Sequence, residues 1–138
     1  TFQTVIGEID NIDPKNVKRV VMCAGKVYYD LLEQRRKNEQ DNVAIIRIEQ
    51  LYPFPHEDVK AALAPYSHVT DFVWCQEEPL NQGAWYCSKH NFEAVISGQC
   101  QIVLCRPPGF CFTGGRLFVI ACQTAKTIGG RCIDALIR

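Results

Sequence analysis

Val17-Lys18-Arg19-Val20-Val21-Met22-Cys23-Ala24-Gly25-Lys26-Val27-Tyr28-Tyr29-Asp30-Leu31-Leu32 changes its periodicity in the middle. Up to Cys23 it is β-branched and apolar, the composition of a strand covered on both faces. Ala24-Gly25 reads as a tight turn. From Lys26 to Lys37 the pattern is helical: Tyr28, Leu31 and Leu32 share one face, and Asp30, Glu33, Arg36 and Lys37 fall elsewhere. The polar run Asn38 to Asn42 closes it. The unit then recurs. Val43 to Ile48 is a strand, and Tyr52-Pro53-Phe54-Pro55 turns the chain. Pro55 opens a helix with Glu57 and Asp58 in its first turn, where acids suit the helix dipole. Val59, Ala62 and Leu63 give that helix its buried side, and Pro65 ends it. His68 to Trp74 is a third strand. Gly83 to Ile96 is a third helix, with Trp85, Phe92 and Ile96 on one side and Asn81 as candidate cap.

Three strand–helix units in series require parallel strands joined by right-handed crossovers. The expected fold class is therefore α/β: three layers, a parallel sheet with helices on both faces, plus an irregular tail. All strand carboxyl ends then lie along one edge. That edge carries Cys23-Ala24-Gly25-Lys26, Glu49-Gln50 and Gln76-Glu77-Glu78. Ligands and partners of open α/β sheets meet such an edge.

The length, 138 residues, suits one domain with a real core. No apolar run reaches the roughly 18 residues of a membrane span. Residues 1–20 lack a charged segment followed by an apolar one, so no signal peptide is expected. The net charge is zero, which argues against nucleic acid or an anionic membrane as partner. The zero conceals an asymmetry. Residues 1–96 hold 14 acids and 10 bases, a balance of −4; residues 97–138 hold one acid, Asp134, and five bases, a balance of +4. Three of the eight cysteines (Cys23, Cys75 and Cys87) lie in the first segment and five in the shorter second one.

Each chemical candidate competes with a plainer reading. Lys26 follows a strand–helix turn and could assist a helix N-terminus in holding phosphate. The stretch is neither GxxxxGK[ST] nor GxGxxG, and an ordinary β–α turn is the better reading. Glu77 and Glu78 are neighbours on extended chain and point to opposite sides, so they do not make an acid–base pair. We read one as a local cap or pair and the other as facing a partner. Trp74, Trp85 and Tyr86 around Pro79-Leu80-Asn81-Gln82-Gly83 fit core and interface packing better than base stacking. His56, His68 and His90 match no metal-binding spacing, and no CxxC occurs. A disulfide framework would need an oxidising compartment. No catalytic, cofactor-binding or metal residue is assigned. The possible interface or effector edge is Lys26, Glu77, Glu78 and Gln82.

Val17 to Leu32, Ile48-Glu49-Gln50-Leu51-Tyr52-Pro53-Phe54-Pro55 and Trp74-Cys75-Gln76-Glu77-Glu78-Pro79-Leu80-Asn81-Gln82-Gly83-Ala84-Trp85-Tyr86 strongly resemble the C-terminal domain of the 2-oxoglutarate dehydrogenase first component. Similar domains end the transketolase-like thiamine diphosphate enzymes. The resemblance spans residues 1–96. It implies a large homodimeric enzyme that decarboxylates 2-oxoglutarate on thiamine diphosphate with Mg²⁺. Such an enzyme passes a succinyl group to the lipoyl arm of a succinyltransferase component in the tricarboxylic acid cycle. Its place would be the cytoplasm of a bacterium or the mitochondrial matrix of a eukaryote. Cofactor and substrate residues belong to preceding domains of such enzymes. This domain would support the fold and subunit contacts, would bind no cofactor alone, and in some relatives contributes to an effector pocket. The rival reading is a free-standing nucleotide- or effector-binding α/β module. A weaker one is a Cys-rich metal protein built on the tail.

After Ile96 the resemblance stops, and residues 97–138 read as an aberrant Cys-rich tail. Read one nucleotide later, the codons of Leu104 to Phe118 allow Tyr-Ala-Gly-Arg-Pro-Ala-Ser-Ala-Ser-Pro-Ala-Val-Gly-Tyr, the family's continuation. Ile128 to Asp134 allow Leu-Val-Asp-Asp-Ala-Leu, and Leu136-Ile137 allow a stop. Two long fits in one shifted frame place a one-nucleotide frameshift near Ile96-Ser97, in the gene or in its reading; a divergent tail is the alternative. The tail as it stands is expected not to complete the domain. Its apolar runs Ile102-Val103-Leu104 and Leu117-Phe118-Val119-Ile120 would pair with each other or with a free sheet edge. Absence of the preceding domains would leave a second apolar surface bare, so the isolated chain is expected to aggregate or remain molten. Sequencing the encoding DNA across Ile96-Ser97 should show a one-nucleotide discontinuity, and an undisturbed family-like frame on both sides would sink the frameshift.

Overall fold

The computed structural model describes residues 1–76 and 83–96, and the backbone of 102–105. Five strands form one sheet: β1 (Val5–Ile6), β2 (Arg19–Cys23), β3 (Val43–Ile48), β4 (Asp71–Cys75) and β5 (Ile102–Cys105), in the order β1-β3-β2-β4-β5. Helix α1 (Val27–Lys37) joins β2 to β3, α2 (His56–Leu63) lies between β3 and β4, and α3 (Trp85–Val95) follows β4. Strands β2, β3, β4 and β5 are parallel, with Val20 opposite both Ala44 and Phe72 and with Phe72 opposite Ile102. The three expected units are present with boundaries shifted by a few residues.

The two chain directions decide the layers. From β2 the chain moves one strand outward to β3; from β3 it returns across β2 to β4. Right-handed crossovers in opposite directions must use opposite faces. Accordingly, Val21, Cys23, Ile45 and Val73 form one apolar cluster with Val27, Tyr28, Leu31 and Leu32 of α1. Val20, Met22, Ile46 and Trp74 form the other with Val59 and Leu63 of α2 and Trp85 and Phe92 of α3. The Trp74 and Phe92 rings meet at a tilt with centroids 4.8 Å apart, and Phe54 meets Phe92 edge-on at 5.1 Å. Such pairs add about 1 kcal/mol each beyond their buried area.

Three features go beyond or differ from the sequence reading. Past the α-helix, which closes at Leu63 just before Pro65 as expected, the chain adds a 3₁₀ turn, Ala64–Tyr66, because a proline in a first turn gives up an N–H that has no helical partner. His68 lies before the third strand, its ring nitrogen 3.0 Å from the Val17 carbonyl oxygen. Strand β1 adds an antiparallel edge, Val5 opposite Ile48, in a stretch too short to show alternation. The tail run Ile102–Cys105 pairs with β4, while Leu117-Phe118-Val119-Ile120 lies outside the described residues.

The arm that carries β1 is held by charge. Arg35 is only 1% exposed. Its guanidinium donates to the Glu8 carboxylate at 2.7 Å, to Asp10 at 2.6 Å and to the Val43 carbonyl at 3.0 Å. Arg36 holds the other Asp10 oxygen at 2.6 Å, and the Ile45 N–H donates to Glu8 at 2.8 Å. The Arg36 hydrogen bond, with help from Arg35, holds the Asp10 carboxyl down at about 2.

Arg35→Ala should strip the buried Glu8 of its counter-charge and cost about 3–5 kcal/mol, read by urea denaturation. Asp10 is depressed below the ordinary carboxylate value of about 4. Its contribution is therefore complete above that value and disappears as pH falls through about 2. Between those limits Asp10→Asn should flatten the acid-unfolding curve; an unchanged slope would show that Asp10 carries no such linkage.

Candidate functional site

The carboxyl edge is built from the residues that follow β2, β3 and β4. β2 sends the chain to the α1 face, whereas β4 sends it to the face of α3. Two neighbouring strands that send the chain to opposite faces mark the switch point of a doubly wound sheet, where ligands of such folds bind. On the β2 side, Gly25 has φ +75°, a left-handed conformation that glycine adopts without strain. Lys26 follows at the exposed cap position of α1, and its side chain makes no capping hydrogen bond. Glu77, Glu78 and Gln82, proposed with it from sequence, lie outside the described residues, as does Asn81.

On the β4 side the organising residue is Gln76, which is buried. Its Oε1 accepts from Trp74 Nε1 at 2.9 Å and from the Trp85 backbone N–H at 3.2 Å. One amide thus fixes the end of the strand and the start of α3. A Cβ at Gly83 would collide with the Gln76 amide group, so this loop needs glycine for space rather than for φ. The reading of Trp74 and Trp85 as packing residues matches their burial, while Tyr86 is 64% exposed.

The β3 side carries Arg47, which sequence reasoning passed over because one Arg in a strand has no motif. Its guanidinium lies 5.4 Å from the Tyr28 ring and 5.2 Å from the Tyr29 ring, donates to the Tyr29 hydroxyl at 2.9 Å and pairs with Glu49. Gln50 donates to the Pro53 carbonyl at 2.8 Å, within a turn whose Tyr52–Pro53 peptide is cis. Tyr29, Tyr52 and Tyr86, one from each connection, are the exposed aromatics of this edge.

Cys23 closes β2 at this edge, and burial pushes its thiol up to about 12, far from thiolate at neutral pH. Cys75 is buried and Cys87 exposed. His56 meets Asn91 Oδ1 at 3.1 Å, so this ring links α2 to α3. Among the described residues no group of three or more His, Cys, Asp or Glu is placed to hold a metal ion. No described helix is long and apolar enough to cross a membrane.

This site and topology define the class: a doubly wound α/β domain with a polar and aromatic carboxyl edge. The model of the 2-oxoglutarate dehydrogenase C-terminal family matches residues 1–110, and the chain belongs to that family. It is 85% identical over 96 residues to a 2-oxoglutarate dehydrogenase E1 component of Haemophilus influenzae, a match covering 70% of this chain and 10% of the relative. The E1 component of Azotobacter vinelandii is 55% identical over 97 residues, covering 70% of this chain and 10% of the relative. An oxoglutarate dehydrogenase of Buchnera aphidicola is 58% identical over 95 residues, covering 69% and 10%. The chain spans about a tenth of the length of these relatives.

Gly83→Ala should displace Gln76 and cost about 2–3 kcal/mol through two lost buried hydrogen bonds. Adding Gln76→Ala should make the pair less than additive in chemical denaturation, because the obstructing amide is gone. In a native thiol titration Cys87 should react first among Cys23, Cys75 and Cys87; rapid labelling of Cys23 would contradict its burial.

Proposed function

We propose that this chain is the C-terminal domain of a 2-oxoglutarate dehydrogenase E1-type enzyme, and that its carboxyl edge packs against the remainder of that enzyme. The observation that carries this reading is the exposure of Tyr29 and Tyr86, at the starts of α1 and α3, and of Tyr52, just after β3, with Arg47 held by Tyr29, in a chain 85% identical over 96 residues to an E1 component. Tyrosine and arginine are the residues that anchor subunit contacts. Lys26 is the described polar residue of this edge, and the reading extends it to Glu77, Glu78 and Gln82, which lie outside the described residues. The role is structural. Oxidative decarboxylation of 2-oxoglutarate, thiamine diphosphate with Mg²⁺, the homodimer partner and the lipoyl-bearing succinyltransferase belong to the whole enzyme, in the bacterial cytoplasm.

The isolated chain should neither decarboxylate 2-oxoglutarate nor bind thiamine diphosphate, and a micromolar calorimetric site for the cofactor would refute this. Grafting residues 1–96 in place of the matching part of the Haemophilus influenzae enzyme should preserve dimer and activity. Adding Tyr52→Ser and Tyr86→Ser should weaken the assembly at least tenfold in a dilution series. A graft that assembles equally well with both serines would overturn the edge assignment.

A further inference from the structure

We propose that Cys23 and Cys75 form a two-thiolate site for a soft monovalent ion of the Cu(I) type, built into the sheet where β2 and β4 end. The proposal stands on the register of the sheet and is independent of the role assigned to this domain. Cys23 is the last residue of β2 and Cys75 the last of β4. The two strands are parallel neighbours, and the two cysteines are partners in their register. Both belong to the apolar cluster on the α1 face, so they stand side by side on one side of the sheet. Both are buried thiols.

Distance selects the bridge. Neighbouring strands run about 4.8 Å apart. Two bonds of about 2.3 Å from sulfur to a metal ion, set in line, span roughly 4.6 Å. Parallel side chains on adjacent strands accept such a unit with the backbone left where it is. A disulfide needs Cβ atoms about 3.8 Å apart and would have to pinch the strands together. The number of donors selects the ion. Among the described residues no third His, Cys, Asp or Glu joins the pair. Tetrahedral Zn²⁺ is left short of ligands, whereas soft thiolates select Cu(I). Burial holds the Cys23 thiol in its protonated form, so only an ion with a strong preference for sulfur displaces the proton. Two protons leave as two sulfur–metal bonds form, and the bound unit carries one negative charge. Two neighbours offset that charge. Arg47 is the register partner of Cys23 on its other side, and its guanidinium favours the thiolate. Helix α1 starts at Val27, just past the turn after Cys23, so the positive end of its dipole lies near the strand end.

The test titrates Cu(I), under reducing conditions and against a chromophoric Cu(I) chelator, into the full chain with its other six cysteines changed to serine; these include Cys105, opposite Cys75 in the backbone register. One equivalent should bind, with the X-ray absorption signature of two sulfurs in line, and should raise the melting temperature. Val73→Cys together with Cys75→Ser keeps two cysteines on the same face but takes them out of register, since Val73 stands opposite Val21. That variant should lose at least the roughly 100-fold in affinity that even an outer partner of a metal ligand is worth. A loosely folded chain would treat the two arrangements alike. Equal affinity in both, or no binding to the native pair, would overturn the proposal, as would binding that leaves the melting temperature unchanged. Val21→Ala removes packing from the same face and should leave the affinity as it is. A loss as large as that of the shifted pair would show that folding rather than the two thiols is being read, and would overturn it as well.

Discussion

A strand with parallel neighbours on both edges cannot reach either of them by a tight turn. Strand β2 is in this position, between β3 and β4, and buried on both faces. Each neighbour must be reached by a crossover long enough to hold a helix. The two directions of travel then force the helices onto opposite faces. The rest of the architecture follows from that constraint. The division of the core into two clusters, with α1 on one face and α2 and α3 on the other, is its geometric consequence.

The parallel core was legible because its strands are buried on both sides and so read as unbroken apolar runs. Val43–Ile48 has the bounds that the sequence assigned, and α1 and α3 differ by one or two residues. Two residues of pairing carry no periodicity, so β1 left no trace. Arg35 was invisible for a related reason. It lies on the face of α1 next to Leu31 and Leu32, but its burial depends on Glu8 and Asp10, two dozen or more residues away. Gln76 and Gly83 stood in a motif of the family, yet only the packing shows why the glycine is needed: the amide occupies the volume of a side chain.

The candidate site divides in the same way. Its location at the carboxyl edge followed from the order of strands and helices alone. Its composition did not. Arg47 and the tyrosines become neighbours only when β3 is set beside β2, with Cys23 opposite Arg47. Lys26 is exposed at the edge, as the turn after β2 requires.

The carboxylate of Glu8 stands where a sixth strand would otherwise begin. Beyond the two residues of β1, the outer edge of β3 offers the Ile45 N–H, and Glu8 takes it. A backbone carbonyl in that place would carry an N–H of its own and invite the next chain to dock. A side-chain carboxylate only accepts, and it brings a negative charge anchored by Arg35. The ladder therefore terminates chemically as well as sterically, and an incoming strand must displace an ion pair before it can form its first hydrogen bond.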